Sequence, residues 1–141
     1  MITIKNTFDA PIEKLWSALT SKEEMKLWYF SLDDFKAEPG FRFSFAGQGH
    51  KGEQYIHLCK VTEVIPFRKL QYSWEYKNYP GISLLTFSLT DLNRKTNLSL
   101  THEGIETFPA DNPDFSRESF EQGWKYIVQT SLHDYLTTIQ Q

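Results

Sequence analysis

Residues 123 to 136, GWKYIVQTSLHDYL, constrain the fold more than any other stretch. Their large apolar side chains, Trp124, Ile127, Val128, Leu132, Tyr135 and Leu136, fall at i, i+3, i+4, i+8, i+11 and i+12, and Ile139 adds i+15. This spacing predicts one amphipathic helix running from about Ser116 to the C-terminus. A stripe of that length must lie on a broad apolar surface, which the rest of the chain has to supply.

The supply comes from segments of period two. MITIKNTF alternates Ile2, Ile4 and Phe8 with polar residues and predicts a first strand. DAPIEKLWSALTSKEEMKLWYF then takes helical spacing, with Asp9 as N-cap, Pro11 in the first turn and an apolar face of Ile12, Leu15, Trp16 and Leu19. Thr20 or Ser21 ahead of Glu23 and Glu24 marks a second start, so two short helices are expected. From Phe41 onward the alternation returns. Phe41, Phe43 and Phe45 share one face; Leu70, Tyr72, Trp74 and Tyr76 share another; Leu85, Phe87 and Leu89, then Leu98, Leu100 and His102, follow. QYIHLCKVTEVIP is a strand ended by Pro66 whose two faces are similarly apolar, leaving its inward side and that of His57 unassigned. GQGHKGE and DLNRKT are turns, and EGIETFPADNPDF is a Pro-containing loop. Strand, two helices, five antiparallel strands and a long helix make an α+β domain over 1–141 with one sheet face covered.

Composition removes several function classes. A net charge of −3 and no cluster of Lys and Arg give no footprint for nucleic acid or an anionic membrane. No apolar run approaches the roughly 20 residues of a membrane-spanning helix, and the N-terminus lacks the apolar core of a signal peptide. The single cysteine, Cys59, excludes an internal disulfide and suits a reducing, cytoplasmic compartment. Aromatic residues make up 16% of the chain, enough to build a dense core or to wall an apolar pocket.

Several segments together resemble a family. APIEKLWSALTSKEEMKLWYF, through Ala10, Pro11, Trp16, Leu19, Thr20 and Trp28, is similar to the opening of the activator of heat-shock-protein-90 ATPase homologue-like proteins, within the START and birch-pollen-allergen (SRPBCC) superfamily. VTEVIPFRKLQYSW, with Val64, Pro66, Leu70 and Trp74, resembles their strand–proline–strand segment. LTFSLTD and LSLTHEG resemble their last strands, and GWKYIVQTSLHDYL their closing helix, with Gly123 and Trp124 in place. The resemblance implies a helix-grip fold: a curved sheet around the C-terminal helix, with an apolar cavity between them. A helix of about 24 residues spans roughly 36 Å, more than a bent sheet touches along its whole length.

The inward-facing candidates for that cavity are Trp28, Phe43, Phe45, Trp74, Tyr76, Leu85, Phe87, Trp124, Ile127 and Ser131, each of which also reads as packed core. Ser131 stands at i+7 from Trp124, where the stripe calls for a large residue; it either lets another element approach or opens space. Gly123 poses the same choice. His102 joins the candidates as a polar fixture, either a general base or a histidine bonded to a loop carbonyl. His50, His57, His102 and His133 show no metal-ligand spacing, and GQGHKGE lacks the Lys-Ser/Thr pair of a phosphate-binding loop, reading instead as a flexible rim whose glycines permit positive φ. No nucleophile–base order assigns a catalytic residue, and neither a metal nor a cofactor is expected.

Three functions follow. The residues favour binding of an apolar or amphipathic small molecule, with Tyr76, His102 and Ser131 giving selectivity. The resemblance implies, alternatively, a stimulator of a heat-shock-protein-90-type ATPase, although this chain begins directly with the helix-grip domain where the eukaryotic activators carry another domain first. It also implies a cyclase- or hydrolase-like enzyme on an apolar substrate, because some relatives with this fold are enzymes. The oligomeric state is not legible in the sequence.

Overall fold

Alternating apolar and polar residues give six strands: β1 Ile2–Phe8, β2 Arg42–Gln48, β3 Gln54–Ile65, β4 Lys69–Tyr76, β5 Ser83–Asp91 and β6 Thr96–Glu103. In a computed structural model, which describes residues 1–139 and Ile139 by its backbone alone, they form one antiparallel sheet in the order β1-β6-β5-β4-β3-β2. The part of the predicted stripe carried by the Ile139 side chain lies outside the described residues. One face of the sheet is a continuous apolar surface, and register aligns it: Phe45 pairs with His57 and His57 with Tyr76, while Cys59 pairs with Trp74 and Leu85 with His102. The undecided strand β3 therefore turns Tyr55, His57, Cys59 and Val61 inward. Thr62 is an extra residue between Val61 and Glu63, a bulge that bends the strand and returns Val64 to the inner side.

The two short helices are α1 Ile12–Thr20 and α2 Lys22–Trp28. Pro11, not Asp9, takes the N-cap position of α1 and makes no side-chain cap, whereas Ser21 caps α2 by accepting from the Glu24 N–H at 3.3 Å. The loop that follows α2 reaches the free side of β2. Asp33 N–H donates to the Ser44 carbonyl at 3.0 Å, and its carboxylate accepts from the Ser44 N–H at 2.8 Å.

The C-terminal helix is less uniform than its stripe predicts. Ser116 caps α3 Arg117–Lys125, a π-helical segment follows over Tyr126–Leu132, and α4 His133–Ile139 resumes α geometry. Trp124, Val128, Leu132 and Leu136 are buried against the sheet, and Ile127 and Tyr135 pack at its margin.

Two side chains fill the middle of the space between sheet and helix. At the end of α2 the backbone of Tyr29 leaves helical geometry (φ −118°, ψ −106°), and Tyr29 and Phe30 turn inward. The Tyr29 hydroxyl lies 2.6 Å from that of Tyr72, and its ring stacks on Trp124 at 6.3 Å. Phe30 stacks on Phe45 at 4.5 Å. Sheet and helix thus meet through rings at the centre and part at one end.

Candidate functional site

The open end is a groove bounded by β2, the β2–β3 turn and β4 on one side and by the start of α3 on the other. Its outer part has a volume of about 440 Å³ and its inner part about 140 Å³. Phe30, Tyr76, Asp114, Ser119 and Gly123 border both, so the two are one depression. It opens where the inward row of β2, Phe43 then Phe45, continues as Gly47 and Gly49. Neither glycine has positive φ, unlike Gly52 in the same turn. Smallness is their role: a Cβ on Gly47 would come within 2.6 Å of His57 Cε1, and one on Gly49 within 2.7 Å of the Tyr55 ring. Gly123 differs again, because a Cβ there meets no atom within 4 Å. It marks the entrance and permits no close approach.

Asp114 fastens the rim. It accepts from the His50 backbone N–H at 3.0 Å and from the Tyr55 hydroxyl at 2.7 Å, while the His50 ring reaches the Ser119 hydroxyl at 3.0 Å. Burial raises the Asp114 carboxyl, but these bonds and the nearby His50 and Lys51 charges outweigh it and hold the group below the usual carboxylate range. No Lys or Arg lines the groove.

Deeper in, the rings of His57 and Phe45 stack at 4.4 Å, and His57 stands edge-on to Trp74 at 4.8 Å. Burial pulls its pKa down to about 4, so the imidazole is neutral at pH 7. Its Nδ1 is buried without a hydrogen bond, and the Phe45 and Tyr55 backbone, which favours the charged ring, does not overcome the effect of burial. Trp74 Nε1 is the second buried nitrogen without a partner.

His102 lies beneath this wall, fully buried. Its Nδ1 accepts from Trp124 Nε1–H at 3.0 Å, which fixes the proton on Nε2. Nε2–H donates to the Ser83 hydroxyl at 2.7 Å, and that hydroxyl donates to the Trp74 carbonyl at 3.3 Å. Burial lowers the pKa to about 3. Both nitrogens are engaged, so His102 is neither an available base nor bonded to a loop carbonyl; it positions Trp124.

Of the predicted residues, Trp74, Tyr76, Trp124 and Ile127 border the inner groove. Trp28, Phe43, Phe45, Leu85 and Phe87 are core, with Trp28 Nε1–H donating to the Ala18 carbonyl at 3.0 Å. Ser131 does not reach the groove: its hydroxyl donates to the Trp28 carbonyl at 2.6 Å and ties the π segment to α2. Sequence reasoning missed Phe30, His57 and Asp114. The aromatic run Trp28-Tyr29-Phe30 signalled the first, since three consecutive rings cannot share one helix face. Among the described residues no group of three or more His, Cys, Asp and Glu side chains is placed to hold a metal, and no helix is long and apolar enough to cross a membrane.

The family model described as "Activator of Hsp90 ATPase homolog 1-like protein" matches residues 9–137. The chain belongs to this family. Its curated relatives include the human and mouse proteins named "Activator of 90 kDa heat shock protein ATPase homolog 1", each 27% identical over 126 residues, which is 88% of this chain and 33% of theirs. The chain therefore spans about a third of their length. Among solved structures, protein MLL2253 from Mesorhizobium loti is 26% identical with a TM-score of 0.78, covering 97% of this chain and 96% of that one. Mll3558 from Rhizobium loti has a TM-score of 0.79 at 17% identity, covering 95% and 94%. The helix-grip fold of the SRPBCC type is common to this chain and these neighbours.

Proposed function

We propose that this domain binds an apolar or amphipathic small molecule in the groove between the sheet and the C-terminal helix. The reading is carried by one observation: Trp74 Nε1 and His57 Nδ1 are buried in an aromatic wall with nothing to bond. Buried polar groups in folded proteins are nearly always satisfied, and an unsatisfied one forfeits about 1–3 kcal/mol. A guest that covers the rings and meets a nitrogen removes that penalty. Burying about 300 Å² of guest surface would contribute on the order of 7 kcal/mol before entropy losses. A cytoplasmic setting suits the free thiol of Cys59.

Gly123→Leu tests the proposal. The new side chain enters the open space at the entrance, while replacing a helical glycine stabilises α3 by up to about 1 kcal/mol. Neutral N-phenyl-1-naphthylamine should brighten with the native protein and stay dim with the variant, whose thermal midpoint does not fall. An equal signal in the folded variant would overturn the assignment.

A second reading rests on the human and mouse relatives, which are named as activators of the 90 kDa heat shock protein ATPase. On it, this chain alone binds such a chaperone and raises its ATPase rate. The check is steady-state ATP hydrolysis by purified chaperone titrated with the chain. A flat rate at saturation, with no complex in analytical ultracentrifugation, removes this reading.

A further inference from the structure

The inner groove carries more specific chemistry than apolar burial. Trp74 is 2% exposed, and an indole N–H can only donate. Tyr76 follows two residues later on β4, on the same face, and both border the 140 Å³ inner compartment. The two rings stand edge-on with centroids 6.3 Å apart, and the indole N–H has no hydrogen-bond partner. Two side chains that carry donors therefore border one small space, whose other walls include Phe30, Phe120 and Trp124. A void of about 150 Å³ with apolar walls takes a benzene-sized ring.

Charge narrows the class of guest. His57 is neutral, no Lys or Arg lines the groove, and the carboxylate of Asp114 stands at its rim. A carboxylate guest in the inner compartment would be desolvated near the Asp114 carboxylate, with no Lys, Arg or His among the residues that line that compartment. A hydrocarbon would leave the Trp74 N–H unbonded. An uncharged acceptor oxygen on an aromatic ring answers both conditions.

We propose, building on the binding function above, that Trp74 Nε1–H and the Tyr76 hydroxyl clamp the carbonyl oxygen of an uncharged aromatic carbonyl compound. Calorimetric titration with three probes of one shape tests this: 2-acetylnaphthalene, 2-ethylnaphthalene and 2-naphthoate. The ketone should bind about tenfold more tightly than the ethyl compound, the gain of one to two neutral hydrogen bonds, and more tightly than the carboxylate. Trp74→Phe and Tyr76→Phe, two independent variants, should each bring the ketone-to-ethyl ratio toward one. Equal native affinities for ketone and ethyl compound, or tightest binding of the carboxylate, overturn the clamp while groove binding stands. A ketone preference that persists in both folded variants also overturns it. If none of the three binds up to its solubility limit, the clamp and the binding function fall together.

Discussion

His102 and His57 are held neutral by burial, and this couples stability to pH. Each has a folded-state pKa below the ordinary 6.5, at about 3 and about 4. Between those values and 6.5 the unfolded chain binds protons that the folded chain refuses, so stability rises with pH across that window. The contribution is fully present above 6.5 and is lost progressively as pH falls toward 4 for His57 and 3 for His102, on the order of 3 and 5 kcal/mol respectively. Urea midpoints should therefore drop steeply between pH 7 and 4.5, and His102→Asn should start lower yet fall less. A flat native profile would show that these imidazoles take up protons in the folded state. Neither environment was legible in the sequence. His57 lies on a strand with apolar residues on both faces, and the partners of His102, Ser83 and Trp124, are brought to it only by sheet register and helix docking.

At the scale of elements, the closing helix was visible as a stripe but not as three segments. Its buried residues Trp124, Val128, Leu132 and Leu136 are each four apart. Four residues overshoot an α-helical turn by about 40°, so three such steps would carry the row about 120° around a straight helix. The wider π turn over Tyr126–Leu132 absorbs that drift and keeps the row on the sheet. The repeat of four was present in the sequence and indistinguishable there from the usual three-four pattern. Ser131, inside the wide turn, ties it to α2 through the Trp28 carbonyl. Ser131→Ala should lower the unfolding free energy by about 0.5–1 kcal/mol, the lost bond outweighing Ala's helix propensity, and leave probe binding unchanged. Denaturant titration with a probe assay checks both halves, and a loss of binding would return Ser131 to the groove.

For the whole molecule, strand number, helix order and the covered face followed from periodicity because each element signals its own period. The location of the empty space did not, because it depends on which side chains cross from one layer to the other. Tyr29 and Phe30 fill the middle, while Gly47 and Gly49 thin one end, where the groove lies. The Asp33 contact with Ser44 acts at this scale too. A sheet border normally offers its free amides to any passing chain, and at Ser44 that offer is already taken by a carboxylate. A strand from a second copy would have to lie against a negative charge there, which caps growth of the sheet from one molecule into the next.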